Sequence, residues 1–145
     1  MAYQCAPDID LLDFPVMRHA MNAAFAAMTR WIKAGASPPR ADRISVSRGN
    51  SQQPDIVTDM HGNALGGMRN VYLDVPVATY MDSSPGPAVC TNLGRKKAFS
   101  WQKLETLYGN AESYASSINQ RLDSLVANGW LTDEDREKIR QELVP

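Results

Sequence analysis

The stretch from Asp13 to Pro39 constrains this chain more than any other. Met17, Met21, Ala24, Met28 and Trp31 recur at helical spacing, and Ala20, Phe25 and Ile32 widen the stripe. That period predicts an amphipathic helix with a broad buried face. Asp13 can cap it, and Pro15 suits a first turn, where its missing N–H costs little. Lys33 complements the C-terminal dipole and Gly35 fits the position just past the end. Ser37-Pro38-Pro39 stops the helix outright. A methionine and aromatic stripe of this width is read as core packing, and normally it would cover a parallel sheet.

The middle of the chain, from Arg40 to about Gly94, changes period. Ile44 and Val46 alternate with polar residues, and Ile56 and Thr58 do so more weakly. Val71, Leu73, Val75 and Val77 alternate cleanly, which predicts a strand; Pro76 makes it an edge strand or ends it. Arg69 and Asp74 flank that strand. Five residues apart on a strand, they are expected on opposite faces, without a direct pairing. Asp59 to Gly67 is rich in glycine and asparagine and predicts a turn or loop, and Ser83-Ser84-Pro85-Gly86-Pro87 predicts another.

The last third is helical again. Ser100 can cap a short helix ending at Gly109. Asn110 can cap a longer one with Tyr114, Ile118, Leu122, Leu125 and Val126 on one face, ending at Asn128-Gly129. Thr132 opens a final helix with Asp133, Glu134 and Asp135 in its first turn. One long N-terminal helix, a small set of strands and two to three C-terminal helices give two fold classes. They are α+β, or a partial α/β fold resembling one end of such a domain. Residues 1–145 are expected to form a single domain, since 145 residues can bury a core without staples.

Composition excludes more than it assigns. Fifteen basic against sixteen acidic residues argue against a nucleic-acid partner. No apolar run approaches the roughly 20 residues of a membrane span. The opening MAYQCAPDID has neither the basic region nor the apolar segment of a secretory signal, and the compartment stays open. The two cysteines, Cys5 and Cys90, form no metal or redox motif and are read as free thiols, with a disulfide as the alternative.

No catalytic residue emerges from the motifs. G-x-S-x-G is absent, and Gly49-Asn50-Ser51-Gln52-Gln53, its nearest likeness, sits in a polar loop. His19 lies beside the apolar stripe and reads as packed or half-exposed. His61, two residues after Asp59, has too few companions for a zinc site. Phosphate-cradle motifs are missing, and Arg95-Lys96-Lys97 reads as solvated surface. No cofactor and no metal are expected.

The central run is nevertheless specific. Asp59-Met60-His61-Gly62-Asn63-Ala64-Leu65-Gly66-Gly67-Met68-Arg69, followed by Leu73-Asp74-Val75-Pro76-Val77-Ala78, resembles a pattern in a bacterial group of α/β-hydrolase-domain proteins. There D-x-x-G-N-A-x-G-G-x-R precedes V-D-V-P-x-A. The likeness extends to Cys5-Ala6-Pro7, to the Ala23–Trp31 helix with its Pro38-Pro39 exit, and to the closing helices from Phe99 to Leu131. Where the pattern usually has a proline two residues after the arginine, this chain has Val71, which favours a strand running straight through. The resemblance implies that the serine elbow, the acid and the histidine of the family lie upstream of the matched part. It thus points to the C-terminal portion of an esterase-like hydrolase, inactive alone, with the upstream hydrolase portion as its missing partner. The alternative is a non-catalytic domain that self-associates or binds a partner. Asp59, Asn63, Gly66, Gly67, Arg69, Asp74 and Pro76 are the candidates for a structural or binding role.

Overall fold

The computed structural model describes residues 10–11, 15–47 and 55–144. In chain order the elements are β1 (Asp10–Leu11), α1 (Pro15–Ala34), β2 (Val46–Ser47), β3 (Asp55–Ile56), α2 (Val71–Asp74) and β4 (Ala78–Met81). A 3-10 turn (Ala88–Asn92) then precedes β5 (Arg95–Ala98), α3 (Trp101–Tyr108), α4 (Ala111–Ala127) and α5 (Asp133–Leu143). A long first helix, a few short strands and three closing helices are the arrangement the sequence predicts. All strand pairings among the described residues are antiparallel. β2 pairs with β3, and β5 is the central strand of a three-stranded sheet in the order β1-β5-β4, with Ala78 opposite Ala98 and Met81 opposite Arg95.

The helix ends follow local chemistry. Ser100, Asn110 and Thr132 each accept a hydrogen bond from the backbone N–H three residues on, which satisfies one of the donors a helix start leaves open. Gly35 and Gly109 take positive φ just past α1 and α3, and their amides return to the Trp31 and Glu105 carbonyls. The proposed cap Asp13 lies outside the described residues, as do the Gly49–Gln53 run and Cys5.

The core is built by α2, α4 and α5. Val71, Val75, Ile118, Leu122, Leu125, Leu131 and Ile139 are buried together, with Tyr72, Tyr114 and Trp130 packed around them. Here the sequence reading needs correction. Val71 to Asp74 is a helical turn, not a strand, and the strand begins only at Ala78. The Asn70 side chain accepts from the Leu73 amide and caps the turn. Val71 and Val75 are the buried pair, four apart, as a helix face requires. Arg95-Lys96-Lys97 lie in the central strand β5, and Lys96 and Lys97 are exposed there, as the surface reading expects.

The first helix departs further. Its buried side is His19, Ala23 and Ala27, and the stripe expected to be core points outward. Met17 is 63% exposed and Ile32 79%, and Met21, Phe25, Met28 and Trp31 are exposed with them. Small residues let α1 lie close to Pro38, Pro39 and Trp130, which line one groove with Ala23 and Ala27. The helix is therefore apolar on two opposite sides. The free-thiol reading also fails for Cys90, which is fully buried and disulfide-bonded.

Leu122 is fully buried on the α4 face that carries this core. Leu122→Ala is expected to cost about 3.5 kcal/mol of stability, the middle of the range for a buried leucine, measured as a shift of the urea midpoint at unchanged slope.

Candidate functional site

Six of the seven motif residues converge, and one guanidinium, that of Arg69, binds two of the others directly. Arg69 leaves the glycine turn just before α2. Its Nη2 lies 2.9 Å from Asp59 Oδ2 and donates to the Leu73 carbonyl at 2.8 Å; its Nε lies 2.5 Å from Asp74 Oδ1; and its Nη1 donates to the Ala64 carbonyl. The expectation that Arg69 and Asp74 stay apart is overturned for the reason already given: α2 is a turn of helix, and that brings position 74 back beside position 69. Arg121 extends the network from α4, with Nε 2.6 Å from Asp74 Oδ2 and Nη2 donating to the Arg69 carbonyl at 3.3 Å.

The turn itself is held from inside. Asp59 Oδ1 accepts from the amides of His61 and Asn63, at 2.8 and 3.0 Å. This is the local side-chain turn that aspartate favours. Asn63 is fully buried and acts as an added strand position: its Oδ1 accepts from the Tyr80 amide and its Nδ2 donates to the Ala78 carbonyl. Gly66 has φ +77°, and a Cβ there would collide with the Arg43 carbonyl. The segment 42–45 runs so close because Ser45 donates to Leu65 and Gly67 to Asp42, each at 2.9 Å. Pro76, the seventh residue, stands apart and contributes its carbonyl to the Tyr108 hydroxyl at 2.9 Å.

Electrostatics tie both carboxylates to this network. Burial would raise the Asp59 carboxyl, but the Asn63 amide, the Arg69 guanidinium and the His61 amide outweigh it and hold the group below its ordinary value. Burial likewise disfavours charge on Arg69, and Asp74 and Asp59 more than compensate, so its pKa is raised. A general base near neutral pH needs the opposite shift. Asp59 is thus poor material for acid–base chemistry. His61 has its ring against Phe99, at 5.7 Å between centroids. Among the described residues no three His, Cys, Asp or Glu side chains are placed to hold a metal. A cavity of about 410 Å³ opens beside the network, walled by Arg40, Asp42, Gly67, Asp74, Arg121 and Trp130.

A second buried polar cluster escapes the sequence reading. His19 Nδ1 lies 2.9 Å from Asp135 Oδ1, and Asp135 Oδ2 accepts from Asn22 Nδ2 at 2.9 Å and from Thr132 Oγ1 at 3.0 Å. Asp135, read as a helix-start charge, is almost wholly buried. The available signal was His19 and Asn22, three apart on one helix face. Burial would raise the Asp135 carboxyl, but the hydrogen bonds of Asn22, His19 and Thr132 win and its pKa is lowered.

Arg69→Lys keeps the charge and loses the fork. It is expected to cost about 2–3 kcal/mol, read from a denaturant titration, because two carbonyls and a carboxylate lose their donors. Asp135 sets an acid limb. Its folded pKa lies below the value of about 3.9 it has unfolded, so its contribution is complete above that value and is lost as pH falls through the folded one. Asp135→Asn is expected to be less stable at pH 7 and to lose less between pH ~4 and pH ~2 than the parent, followed by thermal melts across that range.

A family model described as an alpha/beta hydrolase domain matches residues 3–141. No curated protein and no solved structure matches the chain.

Proposed function

The chain belongs to the alpha/beta hydrolase domain family, and we propose that it is the C-terminal structural portion of an esterase-like hydrolase. In this reading the serine nucleophile, its acid and its histidine come from a preceding part. The full enzyme cleaves carboxylic esters through an acyl-enzyme, with an oxyanion hole that this portion does not supply. The Asp59–Asp74 motif then serves as scaffold: its charges are spent on one another, and its glycines allow the close approach of segment 42–45.

The observation that carries this reading is α1. Its alanine side is buried against the rest of the chain, and Met17, Met21, Phe25, Met28, Trp31 and Ile32 are exposed on the other. A helix apolar on both sides belongs between two layers. One layer is present among the described residues, and the second is of the kind a hydrolase sheet provides. Exposed apolar patches of this extent mark an interaction face in folded proteins. The same face keeps a second reading alive, a non-catalytic domain that self-associates or binds a partner.

The intact mass of the native protein separates them. An antibody against this chain, used on its own cells, is expected to capture a species clearly heavier than 16.0 kDa that reacts with a fluorophosphonate serine probe, while the isolated chain shows no ester turnover. A native species of 16.0 kDa would overturn the hydrolase reading and leave the interaction domain, and turnover by the isolated chain would overturn its being inactive alone.

A further inference from the structure

The eight-residue helix α3 buries none of its side chains. Trp101, Leu104, Glu105 and Tyr108 fall at i, i+3, i+4 and i+7, so they share one face. Of that face only Tyr108 packs against the core. The face walls a cavity of about 230 Å³, with Ala111 and Tyr114 of α4 opposite and Val77 as another wall. The tight turn at Gly109-Asn110 sets the two helices as an open corner. Tyr108 and Tyr114 stand near-perpendicular, 5.0 Å between ring centroids and 68° between planes. Tyr108 spends its hydroxyl on the Pro76 carbonyl, so its ring is fixed in place. Trp101, 74% exposed, is an unusually large apolar surface to leave in water.

Among the described residues that line this cavity Glu105 carries the one formal charge. Lys103, the base on the same helix, is taken up elsewhere, with Nζ 3.4 Å from the centre of the Phe99 ring.

From these observations we propose that the α3–α4 corner binds an alkylated ammonium group, a trimethylammonium head above all. Aromatic rings attract a cation electrostatically through their faces, and desolvation strengthens the attraction. A quaternary ammonium carries no N–H, so it gives up no hydrogen bond on entering apolar walls, where a lysine-type ammonium would strand its donors. Glu105 supplies the opposite charge at the rim without needing a geometric hydrogen bond. The site is separate from the Arg69 network, and the inference does not rest on the hydrolase reading.

Choline and its uncharged isostere 3,3-dimethylbutan-1-ol have nearly the same shape, so they separate a cation site from a merely apolar one. Titrated into the full chain and followed by NMR, choline is expected to shift the ring resonances of Trp101, Tyr108 and Tyr114. It should bind at least about fivefold more tightly than the isostere, within the range of cation–π attraction. Glu105→Gln should narrow that ratio by about threefold, as befits an exposed charge. Trp101→Ala should weaken choline by about tenfold, and Trp101→Phe should keep most of the binding. Equal binding of the two compounds, or no ring shifts with choline, would overturn the proposal. Should Trp101→Ala fail to fold, the choline-to-isostere ratio of the parent and of Glu105→Gln still decides.

Discussion

The polar middle of this chain is organised by one guanidinium. Between Asp59 and Asn70 there is little large apolar surface to bury, and three glycines leave that backbone free to take many shapes. Burial cannot hold such a segment. Arg69 does so by placing donors on two carboxylates and two carbonyls contributed by positions 59, 64, 73 and 74. Lysine has the charge but not the fork, which is why a planar, multi-donor side chain is needed there. The α2 turn, which Asn70 caps and which sets Val71 and Val75 in the core, and the approach of segment 42–45, which Gly66 allows, adjoin that closure.

What could be read from the sequence divides along a physical line. Caps and helix stops were legible because they are local: Ser100, Asn110, Thr132, Gly35 and Gly109 do what their side chains, or the lack of one, dictate within four residues. The 71–77 segment was misread because its alternation of valines and leucine fits a strand, while Asn70 upstream and Pro76 downstream favour a capped turn. That single misassignment also separated Arg69 from Asp74. The motif residues stood out through the family resemblance, and their convergence on Arg69 was not legible in their spacing.

The first helix was misread for another reason. Hydrophobic periodicity finds the larger side chains, and here they form the outer face. Alanines at positions 23 and 27 count for little in such a pattern, yet they permit the closest approach. His19 and Asn22 add a polar tether to Asp135. A buried charge of this kind is costly to leave unpaired, so Asp135 also enforces where α1 sits. The apolar seam of α1 is therefore docked through small residues and a polar cluster, with its bulk reserved for something else.

This arrangement also bears on how the parts assemble. The contacts of Arg69 to Asp59, Ala64, Leu73 and Asp74 span at most ten residues, so the motif can close upon itself with a small loop-entropy cost. Longer-range links then join it to the rest: Asn63 and the His61 carbonyl to β4, Leu65 and Gly67 to segment 42–45, and Asp74 and the Arg69 carbonyl to Arg121 of α4. Arg121 sits one residue before Leu122 on the helix that carries the core. A polar unit that closes locally and docks at a few points can be presented intact to a helical core that burial assembles. That explains how a glycine-rich stretch with little apolar surface keeps a defined shape beside α4.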